Sequence, residues 1–410
     1  MDISSYLEKI HQEEERDRNF LHLTANEAQL SETARKFLGS KLSERYYMGA
    51  GEDGKVDLGP FTALGFPGIS DLVTAAEEAA KEMLGAASVN LNCLSGVHAM
   101  MCSILATTEP GDTVMSVHHD HGGHFATKGI LDRVGRKQIF ASYNFETLSF
   151  DVEKIKQDFQ SSGAKAFYMD VSYYLNPHNL RDIRKALGDD AIIIYDASHT
   201  MGLIMGQQFQ APLKEGANVI TANTHKTLPG PQKGMIAFRD KALGEKANSI
   251  INGCLFSSPH THHMIALSTA ILELKEFGQE YAKQVVSNSN AIAESLNKMG
   301  YKLRKANTDR WSEDHQAHLF IESVGNYKTL YNNLFNNNIA VNFDNPLTGG
   351  MFIRIGTQEI TRRGMKEKEM NEIAQLMDKS FKGQDIKNEV VAFNSGFKKI
   401  HYSFDDQISS

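Results

Sequence analysis

The 410-residue sequence predicts an α/β fold, with a large domain built on a mixed, mostly parallel sheet and a smaller α+β domain after it. Three observations carry this expectation. From residue 71 onward, short apolar runs alternate with helix-like segments in a βαβ rhythm. Runs such as 191–195 (AIIIY) are apolar on both faces, as a strand buried inside a parallel sheet requires. Beyond residue 300 the order changes: strand-like YKLRK, AHLFIES and FIRIGT alternate with helical 327–337 and 366–381, an α+β pattern.

Taken in order, residues 1–20 read as a charged amphipathic helix with Tyr6, Leu7 and Ile10 on one side. It is either a surface helix or an arm that packs on a neighbouring subunit. An extended entry (HLTANE) and a helix follow. Residues 49–70 are rich in glycine, have little periodicity and read as one long loop, which inside a domain is often functional. An alanine-rich helix over 71–84 stops at Gly85. Strands are then expected at 87–94, 113–117, 164–172, 191–199, 217–225 and 234–240, with helices at 95–109, 151–163 and 180–190 supplying crossovers. GMIAF at 234–238 follows its predecessor without a helix, so it is expected to run antiparallel. Residues 262–300 read as mainly helical, and those after about Gly383 as polar, with no element assigned. The expected division is an arm over 1–30, a large domain over 31–265, and a bridging helix with a small domain over 266–410.

A net charge of −7 argues against a phosphate-backbone partner, which needs a basic surface, so no nucleic acid is expected. The three cysteines form no CxxC pair and no even framework, which fits a reduced, cytoplasmic setting. The acidic N-terminus has no apolar core of a signal peptide, and no apolar run is long enough to cross a membrane.

Four features fall at the ends of successive expected strands, where open α/β sheets bind ligands. Ser95-Gly96-Val97 opens a helix, so small residues leave backbone N–H groups for an anion; a tight connection is the plain alternative. His118 to His124 (HHDHGGH) tempts a metal reading, but no complete ligand set of known spacing appears, and no metal is expected. Its glycines instead allow His124 to lie face-on against a flat cofactor. Asp196 closes AIIIY; a carboxylate there is costly unless paired, either with a protonated pyridine nitrogen or with the next turn as a cap. Lys226 follows His225 in TANTHKTLPGPQKG; a lysine in a largely buried site loses its proton more readily and can form an imine. Alone it would read as a surface lysine, and the other three features tip the balance. Arg354 in FIRIGT could clamp a substrate carboxylate two-pronged, or make a salt bridge within the small domain.

The motifs LTANE, LSGVHA, EPGDTV, HGGH, DASHTMGLI, THKTLPGP and IRIGTQEITRRGMKE, in this order, resemble the serine hydroxymethyltransferase family of fold-type I pyridoxal phosphate enzymes over about residues 20–380. The resemblance implies pyridoxal 5'-phosphate as cofactor and Lys226 as its Schiff-base lysine. It implies His124 as the stacking residue, Asp196 at the pyridinium nitrogen, His199 at the ring oxygen, and Ser95 and Gly96 at the phosphate. Val97, Ser172, Asn223 and His225 join the same cofactor site. Asn26, Tyr46 and Arg354 would bind substrate, with Tyr46 delivered by a neighbouring subunit. That implies a homodimer or a tetramer with shared sites.

The departures matter as much. The glutamate that usually follows the tyrosine by two residues is Met48, the serine of the first motif is Asn26, and the arginine-like position after THKTLPGP is Gln232, followed by Lys233. A glycine-rich loop is replaced by SSPHTHH at 257–263. This pattern resembles the threonine transaldolase branch. Such an enzyme cleaves L-threonine to acetaldehyde and adds the cofactor-held glycyl fragment to a second aldehyde. With Met48 in place of the carboxylate, His124, His225 or a water is left to take the β-hydroxyl proton. Alternatives are a folate-dependent serine/glycine hydroxymethyltransferase with a carboxylate resupplied by Glu52 or Asp53, a threonine aldolase, α-methylserine-type chemistry, and a catalytically silent cofactor-binding scaffold.

Overall fold

The computed structural model describes residues 2–346 and 350–408. They fall into two compact units, one of residues 26–283 with 346 and 400–408, the other of residues 2–25, 284–345 and 350–399. The units change over at 25/26 and 283/284, whereas sequence reading drew its boundaries after 30 and 265. Helix α1 (Ile3–Arg18) opens the chain; it buries no residue, and Tyr6, Leu7 and Ile10 remain at least half exposed.

The larger unit is organised by a seven-stranded sheet. In chain order its strands are β1 (Ser88–Asn90), β2 (Thr113–Ser116), β3 (Lys137–Phe140), β4 (Ala166–Met169), β5 (Ile192–Asp196), β6 (Val219–Asn223) and β7 (Gly234–Phe238). Their spatial order is β1-β7-β6-β5-β4-β2-β3. Only β7 runs against the rest: it is antiparallel to both β6 and β1, and the other pairings are parallel. Strands β4 and β7 are buried at every residue, which is why their sequences show no alternation.

Helix α2 (Pro67–Leu84) leads into the sheet, α3 (Gly96–Thr107), α4 (Ala126–Arg133), α5 (Val152–Ser162) and α6 (Leu180–Leu187) connect its strands, and α7 (Lys241–Ile250) follows its last strand. Asp151 caps α5 by accepting the Lys154 N–H, and Gly85 and Gly163 end α2 and α5 in the left-handed region. Ala99, Met100, Cys102 and Ile104 of α3 pack with Val114, Tyr168, Ile194, Val219, Ile236 and Phe238 of the sheet. Each fully buried aliphatic side chain there contributes about 1.5–3 kcal/mol. This core fixes the strand ends from which the site is built.

The other unit has a three-stranded antiparallel sheet of β8 (Gln316–Phe320), β9 (Asn342–Asp344) and β10 (Phe352–Gly356), with β10 in the middle. Leu21–His22 pairs with Ile339–Ala340, so the entry segment belongs to this unit. Helix α8 (Thr261–Lys298) is continuous for 38 residues; helices α9 (Tyr327–Asn336), α10 (Glu367–Phe381) and α11 (Lys387–Ser395) follow.

Two expectations change, and a third segment gains an element. The glycine-rich 49–70 loop contains a hairpin, Lys55–Asp57 with Thr62–Leu64, closed by the turn 58–61 with Gly59 at φ 81°. YKLRK forms no strand, only a single bridge from Leu303 to Leu319. After Gly383, where sequence reading assigned no element, Ile386 and Val390 pack into the core of this unit and hold α11.

Candidate active site

Five strand ends of the larger unit converge on one pocket. The segments after β1, β2, β4, β5 and β6 supply Gly96 and Val97, His124, Asp170 and Ser172, Asp196 and His199, and Asn223 and Lys226. The pocket encloses about 360 Å³, its open mouth included.

At the first segment, Ser95 caps α3: its Oγ accepts the His98 N–H at 3.1 Å. The Gly96 N–H donates to Asn223 Oδ1 at 2.9 Å. Of the first donors of the helix, Val97 N–H and the Ser95 hydroxyl are thus the ones not committed to these bonds, and an anion at this positive helix end would draw on them. A Cβ on residue 96 would stand 2.3 Å from Asn223 Oδ1, so only glycine allows β6 and α3 to approach this closely.

The second segment delivers His124. Asp170, just past β4, accepts from Val117 N–H at 3.0 Å, His124 N–H at 3.1 Å and Thr127 Oγ at 2.6 Å. One carboxylate therefore ties the end of β2, the histidine and the start of α4 together. Burial pushes its pKa up to about 7, against the pull of those donors. The Ala126 N–H reaches His124 Nδ1 over 3.3 Å. When the ring is neutral its proton therefore sits on Nε2, and burial, with Lys226 alongside, keeps its pKa below the ordinary imidazole value. Gly122 turns at φ 94°, where a Cβ would meet the Tyr173 ring at 2.7 Å. Its carbonyl accepts the Ser172 N–H at 2.8 Å, which brings Ser172 to the pocket.

At β5, Asp196 Oδ1 accepts the Ser198 N–H at 2.8 Å, and Oδ2 accepts the Tyr168 hydroxyl at 2.5 Å. Burial and the nearby Asp196 and Asp170 carboxylates push the Tyr168 phenol well above its usual range, so it stays a donor. Lys226 Nζ lies 3.0 Å from His199 Nε2. Thr227 Oγ donates to the His199 carbonyl at 2.7 Å, so the loop carrying the amine is pinned to the turn carrying the imidazole.

The family model of serine hydroxymethyltransferase matches residues 3–377. A serine hydroxymethyltransferase of Methanosphaera stadtmanae is 34% identical, over 95% of this chain and 93% of its own length. The chain belongs to the serine hydroxymethyltransferase family. A fluorothreonine transaldolase of Streptantibioticus cattleyicolor is 35% identical over 90% of this chain, which spans 58% of that longer protein. Among solved structures, an L-threonine transaldolase from Pseudomonas fluorescens, in its internal aldimine state, superposes with a TM-score of 0.88 at 29% identity, covering 99% of this chain and 94% of that one.

This serine hydroxymethyltransferase family member is an α/β fold-type I enzyme that uses pyridoxal 5'-phosphate. Its pocket fits that cofactor: an amine, a strand-end carboxylate, two imidazoles and a helix start surround one cavity. Eight of the ten residues assigned to the cofactor from sequence line it. Ser95 and His225 do not; Ser95 caps α3 from beside it, and the His225 carbonyl accepts the Ala28 N–H at 3.0 Å. That contact brings the segment of Asn26 against the lysine loop. Burial, then the Lys226 charge, pushes His225 down to about 4. Tyr46 is largely exposed, with its hydroxyl 3.3 Å from Ser258 Oγ. In the other unit, Arg354 is buried in β10 and its Nε lies 3.1 Å from Asp344. Sequence reading missed Tyr168, Asp170 and Ser198. Asp170 carried a usable signal, a carboxylate directly after the apolar strand AFYM.

Proposed function

We propose that this enzyme is an L-threonine transaldolase: it cleaves the Cα–Cβ bond of L-threonine, releases acetaldehyde, and joins the glycyl fragment to a second aldehyde as a new β-hydroxy-α-amino acid. The observation that carries the reading is the commitment of both pocket carboxylates. Asp196 is held by Tyr168 and Ser198, and Asp170 by three donors. With Met48 at the position where the folate-using relatives are expected to place glutamate, no uncommitted carboxylate stands among the described lining residues to serve folate chemistry. Similarity to the two transaldolases supports the same reading.

Bound pyridoxal phosphate supplies the electron sink that lets a bond to Cα break. The chain's residues do the rest. Lys226 would hold the cofactor through its amine. Asp196 would hold the proton on the cofactor's ring nitrogen, and Tyr168 and the Ser198 N–H keep that carboxylate in place. Arg354, braced by Asp344, binds the substrate carboxylate. His124 takes the β-hydroxyl proton at Nδ1, where the long Ala126 contact is easily replaced. Tyr46 reaches the site of a partner in a homodimer.

The test is holoenzyme with L-threonine and an aromatic aldehyde, without folate, assayed for acetaldehyde and for the new amino acid. Both products support the reading. Acetaldehyde with glycine alone means a threonine aldolase. No turnover of threonine, with folate-dependent turnover of serine, means a hydroxymethyltransferase whose carboxylate comes from Glu52 or Asp53.

A further inference from the structure

We propose that His118, His119 and Asp120 form a binding site for one divalent transition-metal ion of the zinc class, at the foot of the turn that carries His124. The inference is independent of the reaction assigned above. Sequence spacing alone offered no ligand set here; the short helical turn His119–His121 creates one. One ligand atom from each of the three residues lies within 4.8 Å of the others. His118 Nδ1 is 3.2 Å from Asp120 Oδ2, and His119 Nε2 is 3.1 Å from Asp120 Oδ1. Nitrogen and oxygen donors sit about 2.0–2.2 Å from zinc, so two donors at the tetrahedral angle lie about 3.3–3.6 Å apart. The observed separations fall a few tenths of an ångström short of that, a gap that small side-chain rotations open.

His118 Nδ1 faces both the Asp120 N–H and the Asp120 carboxylate at 3.2 Å, so the ring is already turned toward the oxygen with which it would share an ion. The long N–H contact gives way at little cost. The His118 ring is already held edge-on against Phe140, with centroids 4.5 Å apart, and stands 4.5 Å from the His119 ring. Holding the rings in advance lowers the entropy lost on binding.

Two imidazoles and a carboxylate select zinc, cobalt or nickel over magnesium or calcium, which prefer all-oxygen shells. Three protein ligands leave positions open for water. The His118 carbonyl accepts the His121 and Gly123 N–H groups, so an ion here would stiffen the turn that ends in His124.

The experiment is equilibrium dialysis of tag-free holoenzyme against cobalt(II), with metal analysis and visible ligand-field absorption. The expected result is one ion per chain, displaced by zinc, with affinity falling at least tenfold in His119→Ala and in Asp120→Asn. His119 is 62% exposed, so its truncation leaves the fold intact. His260→Ala, in the separate imidazole group of His260, His262 and His263, should change nothing. Absence of binding overturns the proposal. So does unchanged affinity in His119→Ala, or loss of the ion in His260→Ala.

Discussion

Asp170 accepts three hydrogen bonds with two oxygens, and an amide cannot replace it. Asparagine offers one oxygen; whichever site it takes, its NH2 group faces a donor at the other. Asp170→Asn should therefore cost about 1–3 kcal/mol of stability, the loss for a buried partner left unsatisfied. It should also loosen His124 and lower kcat more than it raises KM; equal denaturation midpoints for variant and parent would refute the keystone role. The two imidazoles separate in the same way. His124 lines the pocket and His225 does not, so His124→Asn should slow threonine cleavage about 10²–10⁴-fold, as loss of a proton-transfer group does. His225→Asn should retain most of the rate. Single-turnover acetaldehyde release measures both, and the reverse order would move the base to His225.

The start of α3 shows what one element contributes. Gly96→Ala places a methyl 2.3 Å from Asn223 Oδ1 and must displace the side chain that accepts the Gly96 N–H. The variant should weaken cofactor binding about tenfold or more, an overpacking and hydrogen-bond cost of about 1–3 kcal/mol. In an Asn223→Ala background the obstacle is gone, and the same substitution should add little. Additive losses, measured by cofactor titration of the apoenzyme, would show that the clash is not the cause. Elements of this kind were legible because buried parallel strands write unbroken apolar runs: AIIIY, AFYM and GMIAF all became strands. The hairpin at 55–64 was not, since its strands alternate exposed and half-buried residues with no apolar side to read. Asp196 was legible as a strand-end carboxylate, while Asp170 satisfied the same description and was passed over because it looked like part of its strand. The ties among Tyr168, Asp196, His199 and Thr227 depend on strand order, which a single sequence does not display.

For the whole molecule, acid should unfold the protein through its buried imidazoles. His178 lies among Phe150, Tyr174 and Tyr195, neither ring nitrogen has a hydrogen-bond partner, and burial pushes its pKa down to about 3. The unfolded chain takes up that proton near pH ~6.5 and the folded chain refuses it, so this stability is present above ~6.5 and is lost as pH falls toward 3. His225, at about 4, acts with the same sign. His178→Phe keeps the aromatic packing and removes the titration; the stability difference between variant and parent should widen by up to ~1.4 kcal/mol per pH unit below pH 6. Parallel urea midpoints across that range would refute the assignment. Assembly is tested at the same scale. Tyr46 is 56% exposed, whereas Lys226 stands in the pocket, so a shared site places the two on different protomers. Tyr46→Phe and Lys226→Ala should each inactivate a homodimer. Random pairing of the two chains makes half the dimers mixed, each with one site that holds both wild-type residues. Co-expression should therefore restore about a quarter of the parent activity. Recovery of none would place Tyr46 and Lys226 in the site of the same chain.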